Sequence, residues 1–178
     1  MNKTLSDLMT RRSVRKFDSR AVSREDLEAI IEAGLSAPSA HNQHPWHIAV
    51  IEDKKTRARI TEAMRWFQPV ENAPVALLVL GDPTACVQKE YWNIDCAALC
   101  ENILIAARSL DLGACWCGIA PIEGNDAAFR TALDIPEPLV PFGMIAIGYP
   151  EAKDAFHERS KNGNEGRVVW NPDWIRKA

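Results

Sequence analysis

The sequence predicts one domain that mixes helices with strands, built around a fully buried strand at 74–80 and a long helix at about 88–110. Three observations carry this reading. With 178 residues, 47% of them hydrophobic, the chain is long enough for one well-packed core and too short for two ordinary domains. Pro74 to Leu80 is a continuous apolar run bounded by Pro74 and by Gly81-Asp82-Pro83, as expected of a central strand buried on both faces. Gln88 to Leu110 lacks proline and glycine, and Ala97, Ala98, Ile103, Ile105, Ala106 and Ala107 crowd its middle. Such a helix is covered on more than one side, which points to a subunit interface.

The other elements follow in order. Thr4 or Ser6 is placed to cap a first helix carrying Leu5, Leu8 and Met9 at helical spacing. A second helix opens at Ser23, with Asp26 three residues on as a weak capping box, and shows Leu27, Ile30, Ile31 and Leu35 on one face, with Gly34 helping to end it. Ala37 to Trp46, with prolines near both ends, is an ordered loop, and Trp46 to Ile51 reads as a strand. Asp53 caps a helix to about Trp66, with Ala58, Ile60 and Met64 inward and lysines and arginines outward. Gly113 ends the long helix, and Ala114 to Ile119 is a strand. Asn125 or Asp126 opens a helix that stops before Pro136, and Val140 to Gly148 is the last core strand. Beyond Pro150 the chain is charged yet carries Val168, Val169, Trp170 and Trp174. Such a tail needs a surface to pack on, and a partner subunit provides one.

Several function classes are disfavoured. The net charge of -3 and pI near 5.8 argue against a nucleic-acid surface. No run approaches the roughly 18 apolar residues of a membrane span, and Met1-Asn2-Lys3-Thr4 lacks the apolar core of a signal peptide, so a soluble, cytoplasmic protein is expected. The five cysteines, odd in number and without secretory context, read as free thiols. His41, His44 and His47, or Cys96, Cys100, Cys115 and Cys117, offer metal-ligand types. Pro45 keeps the histidines off one helix face, however, and the cysteine spacings are not those of a Cys-x2-Cys knuckle. No metal site is expected. Trp46, Trp92 and Trp116 read as core or pocket walls, and Trp170 and Trp174 as anchors of the tail.

The most distinctive stretch is Arg11-Arg12-Ser13-Val14-Arg15, three cations and a hydroxyl in five residues just after the first helix. Guanidinium forks match phosphate oxygens two at a time, and a serine adds a neutral donor at short reach. Alone, such a cluster is more often a solvated turn than a site. Its company changes that reading.

Arg11 to Phe17, then Ala37-Pro38-Ser39-Ala40-His41-Asn42-Gln43-His44-Pro45-Trp46, then Asp95 through Gly113 into Cys115-Trp116-Cys117-Gly118, occur in one order. With Gly148-Tyr149-Pro150 and the tail from Arg159 to Trp174, the chain resembles the flavin-dependent nitroreductase family over nearly its whole length. The resemblance implies an α+β fold, a three-layer α/β/α sandwich with a mostly antiparallel central sheet. It also implies an intertwined homodimer with two FMN sites at the interface. Residues 1–178 then form a single FMN-binding domain, whose extension at 150–178 packs on the partner subunit.

By the same resemblance, Arg11, Arg12 and Ser13 match the phosphate and ribityl contacts, and Arg15 the cation near the flavin N1 and O2 edge. Pro38, Ser39 and Ala40 cover the flavin of the other subunit, and Asn42 falls on the family's amide position. Gln68 matches a ring-contacting amide, Trp116, Cys117 and Gly118 a loop beside the ring, and Arg159 completes the phosphate site. Pro121-Ile122-Glu123-Gly124 resembles an N5 contact of longer members. The family's pattern puts glutamine before the proline of the loop, where this chain has His44.

The implied activity is an FMN-dependent oxidoreductase that takes hydride from NADH or NADPH and passes electrons to a flat small-molecule acceptor such as a nitroaromatic or quinone. Hydride transfer needs no protein acid or base, so no catalytic side chain is expected. Two alternatives stay open: a specialised FMN enzyme for dehalogenation or flavin breakdown, and a non-catalytic flavin carrier or redox-sensing module.

Overall fold

The computed structural model describes residues 2–120, 122, 124–158 and 167–170. Helix α1 spans Lys3–Thr10, α2 Arg24–Leu35, α3 Lys54–Ala63, α4 Gln68–Asn72, α5 Trp92–Ser109 and α6 Asn125–Leu133. Strands β1 Trp46–Ile51, β2 Val75–Gly81, β3 Gly113–Gly118 and β4 Val140–Gly148 form one sheet in the order β1-β2-β4-β3, with every neighbouring pair antiparallel. The apolar run at 74–80 is thus one of the two central strands.

Alternation along β2 explains why that run has no polar member. Val75, Leu77 and Val79 pack with Leu27 and Ile30 of α2 and Leu99, Cys100 and Ile103 of α5. Ala76, Leu78 and Leu80 pack the other way, with Ile60 of α3, Val70 of α4 and Phe129 of α6. Helices therefore cover both faces of the sheet, and the three-layer α+β sandwich follows. Each large side chain fully buried this way stabilises the fold by about 1.5–3 kcal/mol.

Ser23 and Asp53 cap α2 and α3 as expected, accepting from the Asp26 and Thr56 amides. Other expectations are corrected. Asn2, not Thr4 or Ser6, caps α1 by accepting from Leu5 N–H. Gly34 lies inside α2 rather than ending it: a Cβ there would sit 2.6 Å from Ile103 Cγ1, so this glycine lets α2 approach α5 closely. Helix α3 stops at Ala63, and a 3-10 turn at Arg65–Phe67 leads into α4. Arg57, expected on the outer face of α3, is buried and donates through Nη1 to Glu52 O at 2.6 Å. The long helix begins at Trp92, after a 3-10 turn at Lys89–Tyr91.

Gly113 does not end α5. Asp111 takes the left-handed position there, with φ 57°, and Leu112 N–H returns to Ala107 O at 2.9 Å. Gly113 instead opens β3, where a Cβ would lie 2.7 Å from Val14 Cβ. That close approach seats the segment after α1 against the sheet.

Candidate cofactor-binding site

Arg11 caps α1, and the chain then runs beside β3. Ser13 bridges Ala114 in parallel sense, Val14 N–H donates to Ala114 O at 3.0 Å, and the Val14 side chain is buried over Gly113. Alternation about buried Val14 leaves Ser13 and Arg15 exposed. Further along, Phe17 bridges Pro150, Asp18 N–H donates to Tyr149 O at 2.9 Å, and Glu151 N–H donates to Lys16 O at 3.2 Å. Two guanidinium stacks fasten the returning segment: Arg20 lies 4.0 Å from the Tyr149 ring centroid and Arg108 lies 4.3 Å from that of Phe156.

Between these two segments lies a cavity of about 480 Å³ whose wall includes Arg12, Ser13, Arg15, Lys16, Glu151 and His157. Arg12 donates through Nη1 to the Met9 and Arg11 carbonyls, while its Nη2 is buried and has no partner among the described residues. Arg15 Nη1 donates to Ser13 O at 3.3 Å. Arg11 is not in this wall; its Nε stands 3.6 Å from Glu101 Oε1 on α5. Val14, Pro150, Ala152 and Ala155 supply the apolar part of the wall; among its polar members the guanidinium, ammonium and hydroxyl donors outnumber the single carboxylate of Glu151, which suits an anion. Lys16 and His157 were missed as site residues. Lys16 was legible as one more cation in the basic run, whereas only the pairing of Phe17 with Pro150 brings His157 to the site.

The loop from 37 to 46 contains a 3-10 turn at Ala40–Asn42, with His41, Asn42 and His44 at φ of 51°, 54° and 44°. Positive φ at non-glycine residues is costly, so three within four residues need outside support. Buried Asp95, in the first turn of α5, supplies it. Its Oδ1 accepts from Ala40 N–H at 2.8 Å and its Oδ2 from Gln43 Nε2 at 2.6 Å. Gln43 in turn accepts from Gln88 N–H at 3.2 Å, Ser39 Oγ accepts from His44 N–H at 3.1 Å, and the His44 ring stacks on Trp46 at 5.3 Å. Asp95 as an anchor was missed, although a carboxylate in the first turn of an otherwise apolar helix is a readable signal.

Trp116 on β3 is half-buried on the α2/α5 side, its ring 5.5 Å from that of Phe142, and its Nε1 is buried without a partner among the described residues. Cys117, one residue on, faces the α3/α4/α6 layer with Cys115, and Gly118 is exposed at the strand end. All five cysteines are buried free thiols. Burial pushes the Cys96 thiol up to about 12, and the hydrogen bond shared with Cys115, followed by burial, pushes Cys117 up as well. Gln68 is exposed at the start of α4, in neither the cavity wall nor the Asp95 network. Arg159, Pro121 and Glu123 lie outside the described residues, and among the described residues no three His, Cys, Asp or Glu side chains gather as a metal site.

The clamp and the loop are held at different points of α5. Asp95 fixes the loop near its start, while Arg108 Nε donates to Thr10 Oγ1 at 3.0 Å near its end. About 20 Å of helix separates the two. No residue of 38–42 lines the 480 Å³ cavity.

The chain matches the model of the Nitroreductase family over residues 8–93 and again over 70–149. A protein of Archaeoglobus fulgidus, provisionally named an NADH dehydrogenase/NAD(P)H nitroreductase, is 38% identical over 169 residues, covering 94% of this chain and 97% of that protein. The crystal structure of a protein so named from Parabacteroides distasonis superposes with a TM-score of 0.87 at 30% identity, covering 97% of this chain and 99% of that one. A provisionally named nitroreductase from Desulfovibrio desulfuricans, solved in complex with FMN, gives a TM-score of 0.81 at 29% identity and covers 97% of this chain and 98% of that one. A family match across most of the sequence, joined to relatives of this identity along nearly its whole length, means that the chain belongs to the nitroreductase family.

Proposed function

We propose that this protein is an FMN-dependent NAD(P)H oxidoreductase whose phosphate clamp is the cavity beside β3. The observation that carries the proposal is the cavity wall, which Arg12, Ser13, Arg15 and Lys16 share and where a buried Arg12 nitrogen has no partner among the described residues. A phosphate group fits that donor set. Bound FMN would supply the hydride chemistry, accepting from NADH or NADPH and passing electrons to a flat acceptor such as a nitroaromatic or quinone. The residues that would hold it are Arg11, Arg12, Ser13 and Arg15, with Pro38, Ser39, Ala40 and Asn42 of the covering loop, Trp116, Cys117 and Gly118 beside the ring, and Gln68 and Arg159 at its margins. The protein's share is binding, orientation and field, without a catalytic side chain. A reducing compartment suits five free thiols, which supports a cytoplasmic location.

The test is direct. The purified protein is expected to be yellow, to bleach with NADH or NADPH and to recover colour with a quinone or nitro compound. A yellow protein that neither nucleotide bleaches is a carrier or sensing module, and one that bleaches but reoxidises only with a halogenated substrate or free flavin is a specialised relative. Arg15→Ala is expected to lower the midpoint potential while leaving much of the affinity for oxidised FMN, since a fixed cation favours the more negative reduced flavin. Equal potentials in variant and parent, by spectroelectrochemical titration, remove that role.

The same proposal includes a homodimer, with the extension at 150–178 packed on the partner. In the isolated chain Leu5, Leu8 and Met9 of α1 are 49%, 43% and 46% exposed, and Val168, Val169 and Trp170 are 71%, 60% and 86% exposed. Apolar side chains so presented gain about 1.5–3 kcal/mol each when buried, which favours a cover. Deleting the chain from Arg167 onward is expected to loosen the dimer and release FMN together. Sedimentation with parallel detection of flavin and protein tests this, and a parent that sediments as a monomer with FMN bound overturns it.

A further inference from the structure

We propose that a second cavity, bounded by α3, α4 and the segment after α1, binds a small zwitterion carrying a carboxylate and an ammonium group, the chemical class of the free amino acids. The cavity shares no lining residue with the clamp, so the site stands or falls apart from the FMN reading.

Its volume is about 450 Å³, within the range of about 300–1,000 Å³ usual for small-molecule sites. Asp18 and Ser19 line it from the segment after α1, Lys54 and Arg57 from α3, and Glu71 and Asn72 from the end of α4. Ala73 and Pro74 are the apolar members, so the lining is mostly polar. Arg57 is the unusual member. Only 5% of it is exposed, yet no carboxylate pairs with it among the described residues. Its Nη1 donates to the Ile51 and Glu52 carbonyls at 3.4 and 2.6 Å. Its Nε is buried without a partner, and among the described residues its Nη2 has none either. A guanidinium carries its donors in a fixed planar fork, so one edge of this fork is left without acceptors. Burial pushes the Arg57 guanidinium down, with the Asp53 carboxylate pulling the other way. Buried charges are as a rule paired, and a carboxylate in the cavity supplies the acceptor that this edge lacks.

The charges of the wall are separated rather than cancelled. Both cations, Lys54 and Arg57, come from α3, the carboxylates come from α4 and the segment after α1, and no ion pair joins the two sets. Asp18 is engaged by Arg20, whose backbone N–H donates to Oδ1 and whose Nε donates to Oδ2, both at 2.9 Å. Glu71 has no ion-pair partner among the described residues. Around the wall, Glu52 pairs with Arg24 at 3.4 Å, Asp53, beside Lys55, accepts from Thr56 N–H and Oγ1, and Lys16 and Glu151 beyond Asn72 add one charge of each sign. A lone anion therefore gains from Lys54 and Arg57 but is opposed by Glu71 and Asp18, and a lone cation meets the reverse. A molecule with both poles gains at each end, its carboxylate at Arg57 and Lys54 and its ammonium at Glu71.

The experiment uses the full chain with its flavin, made with isotope-labelled arginine, and follows the arginine Nε–H signals by NMR at neutral pH and constant ionic strength. Arg57→Lys identifies the Arg57 signal by its disappearance. The probes are free L-alanine, propionate, which lacks the ammonium group, and ethylamine, which lacks the carboxylate. L-Alanine is expected to shift the Arg57 signal saturably, with propionate about tenfold weaker and ethylamine without effect. Arg57 also ties down the carbonyls at the end of β1, so affinities are compared in variants of other wall residues. Glu71→Gln is expected to weaken L-alanine about tenfold, to the level of propionate, and Lys54→Ala to weaken both. Propionate as strong as L-alanine, or a preference for L-alanine that survives in Glu71→Gln, overturns the zwitterion assignment. No saturable shift with any of the three probes overturns the site. Each of these results leaves the bleaching test of the FMN reading as it was.

Discussion

Arg12→Ala is expected to weaken FMN binding by roughly ten- to a hundredfold. The substitution removes charge-assisted hydrogen bonds worth about 1.5–3 kcal/mol, and each 1.4 kcal/mol is about tenfold in affinity. Arg12 has its guanidinium in the cavity wall, with a buried Nη2 that has no partner among the described residues, so its loss removes both a cation and a donor from the wall. The side chain also ties down the Met9 and Arg11 carbonyls at the end of α1, so some of the effect passes through the position of Ser13. Arg12→Lys separates the two contributions. It keeps the charge but loses the planar fork, and an intermediate affinity is expected. Arg11→Ala serves as the comparison in the same series, and a smaller loss is expected, because Arg11 sits against Glu101 rather than in the wall. Titration of each apoprotein with FMN measures the effect, and an unchanged dissociation constant for both alanine variants removes the clamp assignment.

Asp95→Ala is expected to release the 38–44 loop. The carboxylate is buried and accepts one backbone and one side-chain hydrogen bond, so removing it leaves the Ala40 amide and the Gln43 side chain without partners. At about 1.5 kcal/mol or more for each bond to a charged group, the loss is about 3 kcal/mol, or roughly 6–12 °C in Tm for a chain of this size. Asp95→Asn is not a mild substitute. Its amide nitrogen would face Gln43 Nε2, and turning the Gln43 amide over would break its bonds to Gln88 N–H and O. Hydrogen exchange at Ala40 and His44, read beside Tm, distinguishes a local opening from a general loss of stability. Exchange in Asp95→Ala identical to the parent would show that the loop keeps its three left-handed residues without this anchor.

Much of the frame was legible because it is local. Strands β1 and β4 have the expected bounds, and β2 and β3 differ from expectation by a residue, because apolar runs between turn residues mark strands directly. Ser23 and Asp53 were legible as caps because a side-chain oxygen three residues before an unpaired amide meets it in most helices. The Arg11 to Arg15 run was legible as a basic cluster, and Arg12, Ser13 and Arg15 of it line one cavity.

By itself, then, the sequence determined the four strands, the approximate places of every helix but α4, and that β2 lies in the middle of the sheet. Only the tertiary structure decided what Gly34 and Gly113 are for, since each reads as a helix stop until Ile103 and Val14 are seen against it. It also decided that Arg57 turns inward to the Glu52 carbonyl, that Asp95 holds a loop more than fifty residues earlier, and that His157 joins Arg12 across the Phe17 to Pro150 bridge. The physical reason is common to all of these. Periodicity and capping act within one or two turns and leave a mark on neighbouring residues, whereas close packing and buried polar pairing join segments far apart in the chain, where no local pattern records the partner.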